Sequence, residues 1–265
     1  MSAFGYTRYG QQFGVAIRDG GARISDKLLT ATDRLAVALF EAGNCAGLEK
    51  NYIFLYPFVG GTQVAHSINL ADPSKYRIQF DDDTTVTHNA NGITGPGNVA
   101  LFPFEDQSVD GCAGMFGLYQ RSGVSSDQID MICQLGSVVH GIICRRATYG
   151  DTIYWNGINS AAGYTVVANT NPQGFYSCMR SPDAWNGAAA SAQYGYKNGT
   201  NVTSLAGGSR GNAGTWYLFS GNSHNIAFCF VTKSWLVSGM PWGHPIHATM
   251  YGIIQKFQTA CSRQV

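Results

Sequence analysis

The sequence predicts an all-β fold: an antiparallel β-sandwich or jelly roll, with an extended N-terminal arm, one N-terminal helix and a C-terminal helix. Three observations carry this expectation. From Tyr52 onward the chain breaks into short apolar or alternating runs bounded by Gly, Asn, Asp or Pro, the pattern of strands joined by tight turns. Only 12% of the residues are charged, against a usual share of about 25%, which argues against a coiled coil. The 45% apolar content fills a core, so the chain is not disordered.

Residues 1–24 are rich in Gly and aromatic residues, with Arg8 and Arg18 between them and no evident helical period. They read as an extended arm held by a partner chain, with Phe4, Tyr6, Tyr9 and Phe13 as its candidate anchoring contacts. Residues 25–51 form a helical segment. Leu28, Leu29, Leu35, Val37, Ala38 and Phe40 carry its apolar positions, Ser25 or Thr32 offers a cap, and Gly43 or Gly47 ends it.

Residues 52–265 make up the sandwich domain. Its strand candidates include Ile53 to Val59, Tyr76 to Phe80, Met115 to Tyr119, Val138 to Cys144 and Ile226 to Val231. Lys197-Asn198-Gly199-Thr200 signals a hairpin, because Asn-Gly suits the two positive-φ positions of a type I′ turn. Met250, Ile253, Ile254 and Phe257 fall at helical spacing, which places a closing helix over His247 to Phe257.

Charge and cysteine usage narrow the function. A net charge of +1 supplies no basic field for a phosphate backbone, so nucleic acid is not the expected partner. The seven cysteines form no CxxC pair, which argues against a zinc site and, being odd in number, against a closed disulfide framework. Residues 1–21 lack the pattern of a signal peptide and no apolar run reaches transmembrane length, so no membrane insertion is expected. Nucleotide-binding, serine-hydrolase and zinc-protease motifs are missing in any convincing context. His244 and His247 lack an acidic or thiolate neighbour, Asp81-Asp82-Asp83 lacks the Gly-containing ladder of a calcium loop, and Glu105, Asp106 and Asp110 do not pair into a glycosidase dyad from sequence. The expectation is therefore a protein that is not an enzyme and has no cofactor or metal. Tyr154, Trp155, Trp185, Tyr194 and Tyr196, set among Gly, Asn and Ser, are the candidate glycan or partner contacts, since exposed rings flanked by amides and hydroxyls suit sugars. Filling the sandwich core is the competing role for each.

In the order Tyr56-Pro57-Phe58-Val59-Gly60-Gly61-Thr62, His66-Ser67-Ile68-Asn69-Leu70-Ala71-Asp72-Pro73, His88-Asn89-Ala90-Asn91-Gly92, Asn169 to Tyr176, Lys197 to Thr200 and Phe257 to Val265, the chain resembles phage structural proteins with a concanavalin-like or laminin-G-like lectin domain. The resemblance spans about residues 28 to 265 and departs from the family pattern between Ala227 and Pro245. It implies a concanavalin-like jelly roll in a virion structural protein, a capsid decoration or a tail or fibre appendage. Other virion proteins and further copies of the chain in a homo-oligomer are the expected partners, and the virion, assembled in the host cytoplasm, the expected location. A host-glycan adhesin is the alternative, and a polysaccharide depolymerase a minor one.

Overall fold

The structure is a computed structural model that describes residues 5–43, 47–80, 86–95, 98–104, 115–122, 130–135, 138–146, 152–156, 164–180, 193–205, 214–219, 224–232 and 244–265. Helices α1 (Arg8–Asp19), α2 (Asp26–Gly43) and the single turn α3 (Leu48–Asn51) come first. Strand β1 (Tyr52–Tyr56) and helix α4 (Gln63–Ser67) follow. Next are β2 (Thr87–Asn89), β3 (Gly92–Thr94), β4 (Asn98–Phe104), β5 (Met115–Ser122), β6 (Met131–Leu135) and β7 (Val138–Arg146). The chain continues through β8 (Thr152–Asn156), β9 (Tyr164–Ala168), β10 (Gly174–Arg180), β11 (Gln193–Lys197), β12 (Thr200–Leu205), β13 (Gly214–Phe219) and β14 (Asn225–Thr232) to the closing helix α5 (His244–Ala260).

Among the described residues the strands form two antiparallel sheets, as the sequence predicts. An eight-stranded sheet runs β12-β11-β10-β5-β14-β3-β2, with β1 also paired to β14, and a six-stranded sheet runs β4-β13-β6-β7-β8-β9. One face of the larger sheet packs on the smaller: Phe116, Leu118, Tyr176 and Cys178 share a buried cluster with Met131, Ile142, Cys144 and Leu218. Its other face carries Met115, Tyr119, Phe175 and Phe228, which pack against Phe13, Leu35, Leu39 and Phe257 of the helices. The layers are thus helices, larger sheet, smaller sheet.

This layering explains the apolar runs. A sheet covered on both faces needs apolar residues at nearly every position, not at alternate ones, and every residue of β1 and of β14 is buried. Along β10 the alternation is strict, with Phe175 and Met179 toward the helices and Tyr176 and Cys178 toward the smaller sheet. In β14 a register shift between Ile226 and Phe228 puts Ala227 and Phe228 together on the helix side. Gly92 lies so close there that an added Cβ would stand 2.2 Å from the Ile226 carbonyl oxygen.

The 197–200 turn joins β11 to β12 as predicted, with Asn198 at φ 51° and Gly199 at φ 76°. The closing helix is also present and begins earlier than predicted, at His244. Pro245 fits its first turn, where the missing N–H has no helical acceptor to lose.

Two expectations fail. Tyr76 to Phe80 is not a strand; Tyr76 takes φ 54°, and Ile78 donates to the Ser67 carbonyl at 3.0 Å. More important, the arm predicted for residues 1–24 is not extended over residues 8–19, which form α1. Tyr9, Phe13, Ala16 and Ile17 are spaced i, i+4, i+7 and i+8 and all are buried, the signature of a core-facing helix. Gly10 and Gly14 hide that period, yet they are what lets α1 approach α2: a Cβ at Gly10 would lie 2.6 Å from Asp33 Oδ1, and one at Gly14 3.1 Å from Leu29 Cδ2. Asp33 of α2 then caps α1, accepting the Thr7 N–H at 3.1 Å, the Gly10 N–H at 3.0 Å and the Thr7 hydroxyl. Two helical glycines cost about 1 kcal/mol each, and packing plus a carboxylate at the helix N-terminus offsets that.

Candidate functional site

Three clusters of polar side chains lie inside the layers. The first joins the helices to the larger sheet. Ser177 of β10 and His247 of α5 meet at 2.7 Å from Oγ to Nδ1, and the imidazole stacks on Tyr196 of β11 with ring centroids 3.5 Å apart. Ser177 and His247 are fully buried. A serine nucleophile needs substrate access as well as a base, and α5 roofs this pair, so the contact ties a helix to a sheet.

The second cluster lies between the sheets. Asp130 Oδ1 is 2.5 Å from His224 Nδ1, and Asp130 Oδ2 accepts the Cys144 N–H at 2.7 Å. The Asn169 amide donates to the Cys144 carbonyl and, at 2.9 Å, to the Tyr176 hydroxyl, while Lys197 Nζ donates to Asn169 Oδ1 and to the Asn171 carbonyl. Cysteine, histidine and aspartate here resemble a catalytic triad in composition alone. The carboxylate, not the imidazole, contacts the cysteine, and burial followed by the Asp130 charge pushes the Cys144 thiol well above its ordinary range. A catalytic thiol is shifted the opposite way. This arrangement cross-links the sheets.

The third cluster sits beside the 57–61 bend. His66 of α4 and His88 of β2 approach to 3.0 Å between Nδ1 atoms, so one nitrogen donates and the other accepts. Arg263, almost fully buried, donates to the Phe58 carbonyl at 2.7 Å and the Pro57 carbonyl at 3.0 Å. Burial, then His88, then Arg263 hold the His66 imidazole down at about 3. Burial also lowers the Arg263 guanidinium to about 10. Among the described residues no group of three or more His, Cys, Asp or Glu is placed to hold a metal.

The predicted contact residues separate. Tyr196 is buried against His247 and offers no free face to a sugar; Tyr194 is half-buried against the helix-side core. Tyr154 and Trp155 lie in β8, opposite Ile143 and Ile142 of β7 in the smaller sheet. Trp185 and Phe4 lie outside the described residues. Tyr9 and Phe13, expected to anchor the chain to a neighbour, are buried in its own core, because α1 turns them inward. Tyr6 is half-buried, and its hydroxyl accepts from Thr30 at 3.4 Å. What local sequence signals do not show is α1 and the assembly of the helices into one layer, which is bordered, among the described residues, by grooves of about 670, 440 and 320 Å³.

No protein-family model and no curated protein sequence matches the chain. Among solved structures it is similar to the receptor-binding domain of botulinum neurotoxin type G, at 12% identity and TM-score 0.49 over 77% of this chain and 52% of that one. Domain 4 of AbnA, an extracellular arabinanase from Geobacillus stearothermophilus, in complex with arabinotriose, overlaps at 8% identity and TM-score 0.42 over 64% and 82%. A galectin of Caenorhabditis elegans overlaps at 12% identity and TM-score 0.31 over 52% and 91%. The chain spans about half the length of the toxin domains it matches. These overlaps are partial, and neither fold nor ligand is inferred from them.

Proposed function

We propose that the chain is a lectin-like binding module that breaks no bonds, carried as a structural part of a phage virion. The observation that supports it best is the sandwich itself, two packed antiparallel sheets. Helices and the smaller sheet cover both faces of the larger sheet. We place the ligand at the smaller sheet, to which β8 brings Tyr154 and Trp155. A face that binds sugars weakly at each site acts through several copies, which fits a homo-oligomeric appendage. The virion setting rests on the ordered sequence resemblance. The absence of catalysis is supported by the enclosure of Ser177–His247 and the raised Cys144 thiol.

A glycan array probed with a multivalent preparation of the chain tests the reading. Binding that drops at least ten-fold in Tyr154→Ala/Trp155→Ala supports it, and no sugar bound at any density counts against glycan recognition. Host polysaccharide incubated with the chain should yield no new reducing ends. Antibody labelling of purified particles should find the chain on them; particles that lack it would remove the virion role and leave the binding role standing.

A further inference from the structure

Helices α2 and α5 lie side by side on the larger sheet, and Lys27 near the start of α2 donates to Ser262, just past α5, at 3.4 Å. A groove of about 320 Å³ opens between them. Its two walls carry the same pattern. From α2 come Ala31, Arg34, Leu35 and Ala38, and from α5 come Ile253, Lys256, Phe257 and Ala260, each set spaced i, i+3, i+4 and i+7, one face of a helix. Leu35 and Phe257 are 2% and 3% exposed and make an apolar floor. Small Ala38 and Ala260 keep the rim low, and each wall adds one exposed cation. No acidic residue lines the groove, and neither Arg34 nor Lys256 has a hydrogen-bond or ion-pair partner among the described residues. Among the other exposed cations, Arg8 and Lys75 are paired with Glu49 and Asp72.

We infer that this groove is the docking site for an amphipathic helix of a partner protein, one with an apolar stripe bordered by Asp or Glu. Each lined face spans about 10 Å, two helical turns at ~1.5 Å per residue, and a third helix laid between two others is a recurring mode of recognition. The apolar stripe covers the accessible Ala38, Ile253 and Ala260 above that floor, and the acids meet Arg34 and Lys256, one on each wall. A second copy of the chain using the same face would set these cations against their own equivalents, which opposes a two-fold pairing here. Two cations are too few to track a nucleic-acid backbone. The surface lies on the helix side of the molecule, away from the smaller sheet, so the inference does not depend on glycan binding.

The test uses the full chain and three fluorescein-labelled synthetic peptides of about five turns: Leu at i, i+3, i+4 and i+7 with Glu elsewhere, the same Leu pattern with Lys, and the Glu peptide with Gln in place of Leu. Anisotropy should show saturable, salt-weakened binding of the Glu–Leu peptide alone. Arg34→Glu/Lys256→Glu should weaken it at least ten-fold and admit the Lys–Leu peptide, whereas Lys50→Glu on α3 should change it less than two-fold. Thermal melts of the variants, expected to match the parent because all three positions are on the surface, show that loss of binding is not loss of fold. The inference is overturned if the Glu–Leu peptide fails to bind at about 1 mM, if the double variant binds it as the parent does, or if the Gln peptide binds equally well. Sedimentation showing a dimer of the chain that Ala260→Glu abolishes would assign the groove to a second copy and overturn it as well.

Discussion

The two faces of the larger sheet are built from the same strands and sealed by different chemistry. Toward the helices the contact is mainly apolar, with Phe13, Leu35, Leu39, Phe228 and Phe257 meeting over a broad surface around the buried Ser177–His247 hydrogen bond. Toward the smaller sheet an apolar cluster is threaded by the Asp130, His224 and Asn169 links. Apolar packing is non-directional and tolerates sliding, whereas buried hydrogen bonds accept one geometry. The difference teaches where position is fixed: the polar links set how the sheets lie on each other, while the helical layer is pinned at Ser177–His247 and otherwise contributes stability over an area that can adjust.

The sharpest way to break this contrast is Asp130→Ala. It takes the carboxylate away from a buried imidazole and leaves the Cys144 N–H without its acceptor, and a broken buried pair costs about 4 kcal/mol. Urea unfolding measures it, and a loss under about 1 kcal/mol would show that the polar links do not carry the inter-sheet face. On the helix side Leu39→Ala removes a fully buried side chain and should cost about 3 kcal/mol in the same assay. Asp33→Ala removes the carboxylate that caps α1, for a loss of about 2 kcal/mol. Its circular dichroism should show fraying of one helix with the sheets intact, and equal loss of β signal would mean that α1 is not a separable part of its layer.

The smallest effect, read over a single pH unit, sharpens the comparison through pH. His66 is neutral in the native protein until about 3, whereas the unfolded chain protonates it near 6.5. Its folded value is depressed, so its contribution is complete above about pH 6.5 and declines toward pH 3, at roughly 1.4 kcal/mol per pH unit for one proton. Stability profiles of the parent and of His66→Gln should diverge across that window, with the shallower slope in the variant. Parallel profiles would assign the acid sensitivity elsewhere.

Much of the sandwich was legible because its signals are local. The β5, β7 and β14 runs, the Asn198-Gly199 turn and the period of α5 each declare themselves within a few residues. The helical layer was half legible. α2 has an unbroken period, but in α1 Gly10 and Gly14 lower the apparent propensity, and the compensating carboxylate sits at Asp33, 23 positions from Gly10. The site was least legible. Tyr194 and Tyr196 look alike in sequence, and only the arrival of His247 from α5 buries the second. Ser177 and His247 are 70 residues apart, a pairing no local pattern announces. The groove between α2 and α5 needs two remote segments to lie together before the shared spacing means anything.

The described cysteines divide along the same boundary. Cys144, Cys178 and Cys229 belong to the inter-sheet cluster and Cys261 to the helical layer, and burial raises all four thiols. An alkylating reagent attacks thiolates, so uptake at the three deep positions is gated by separation of the sheets, while Cys261 reports loosening of the helices. The native chain therefore carries two internal stopwatches, one for each seam, readable by mass spectrometry without any engineered label.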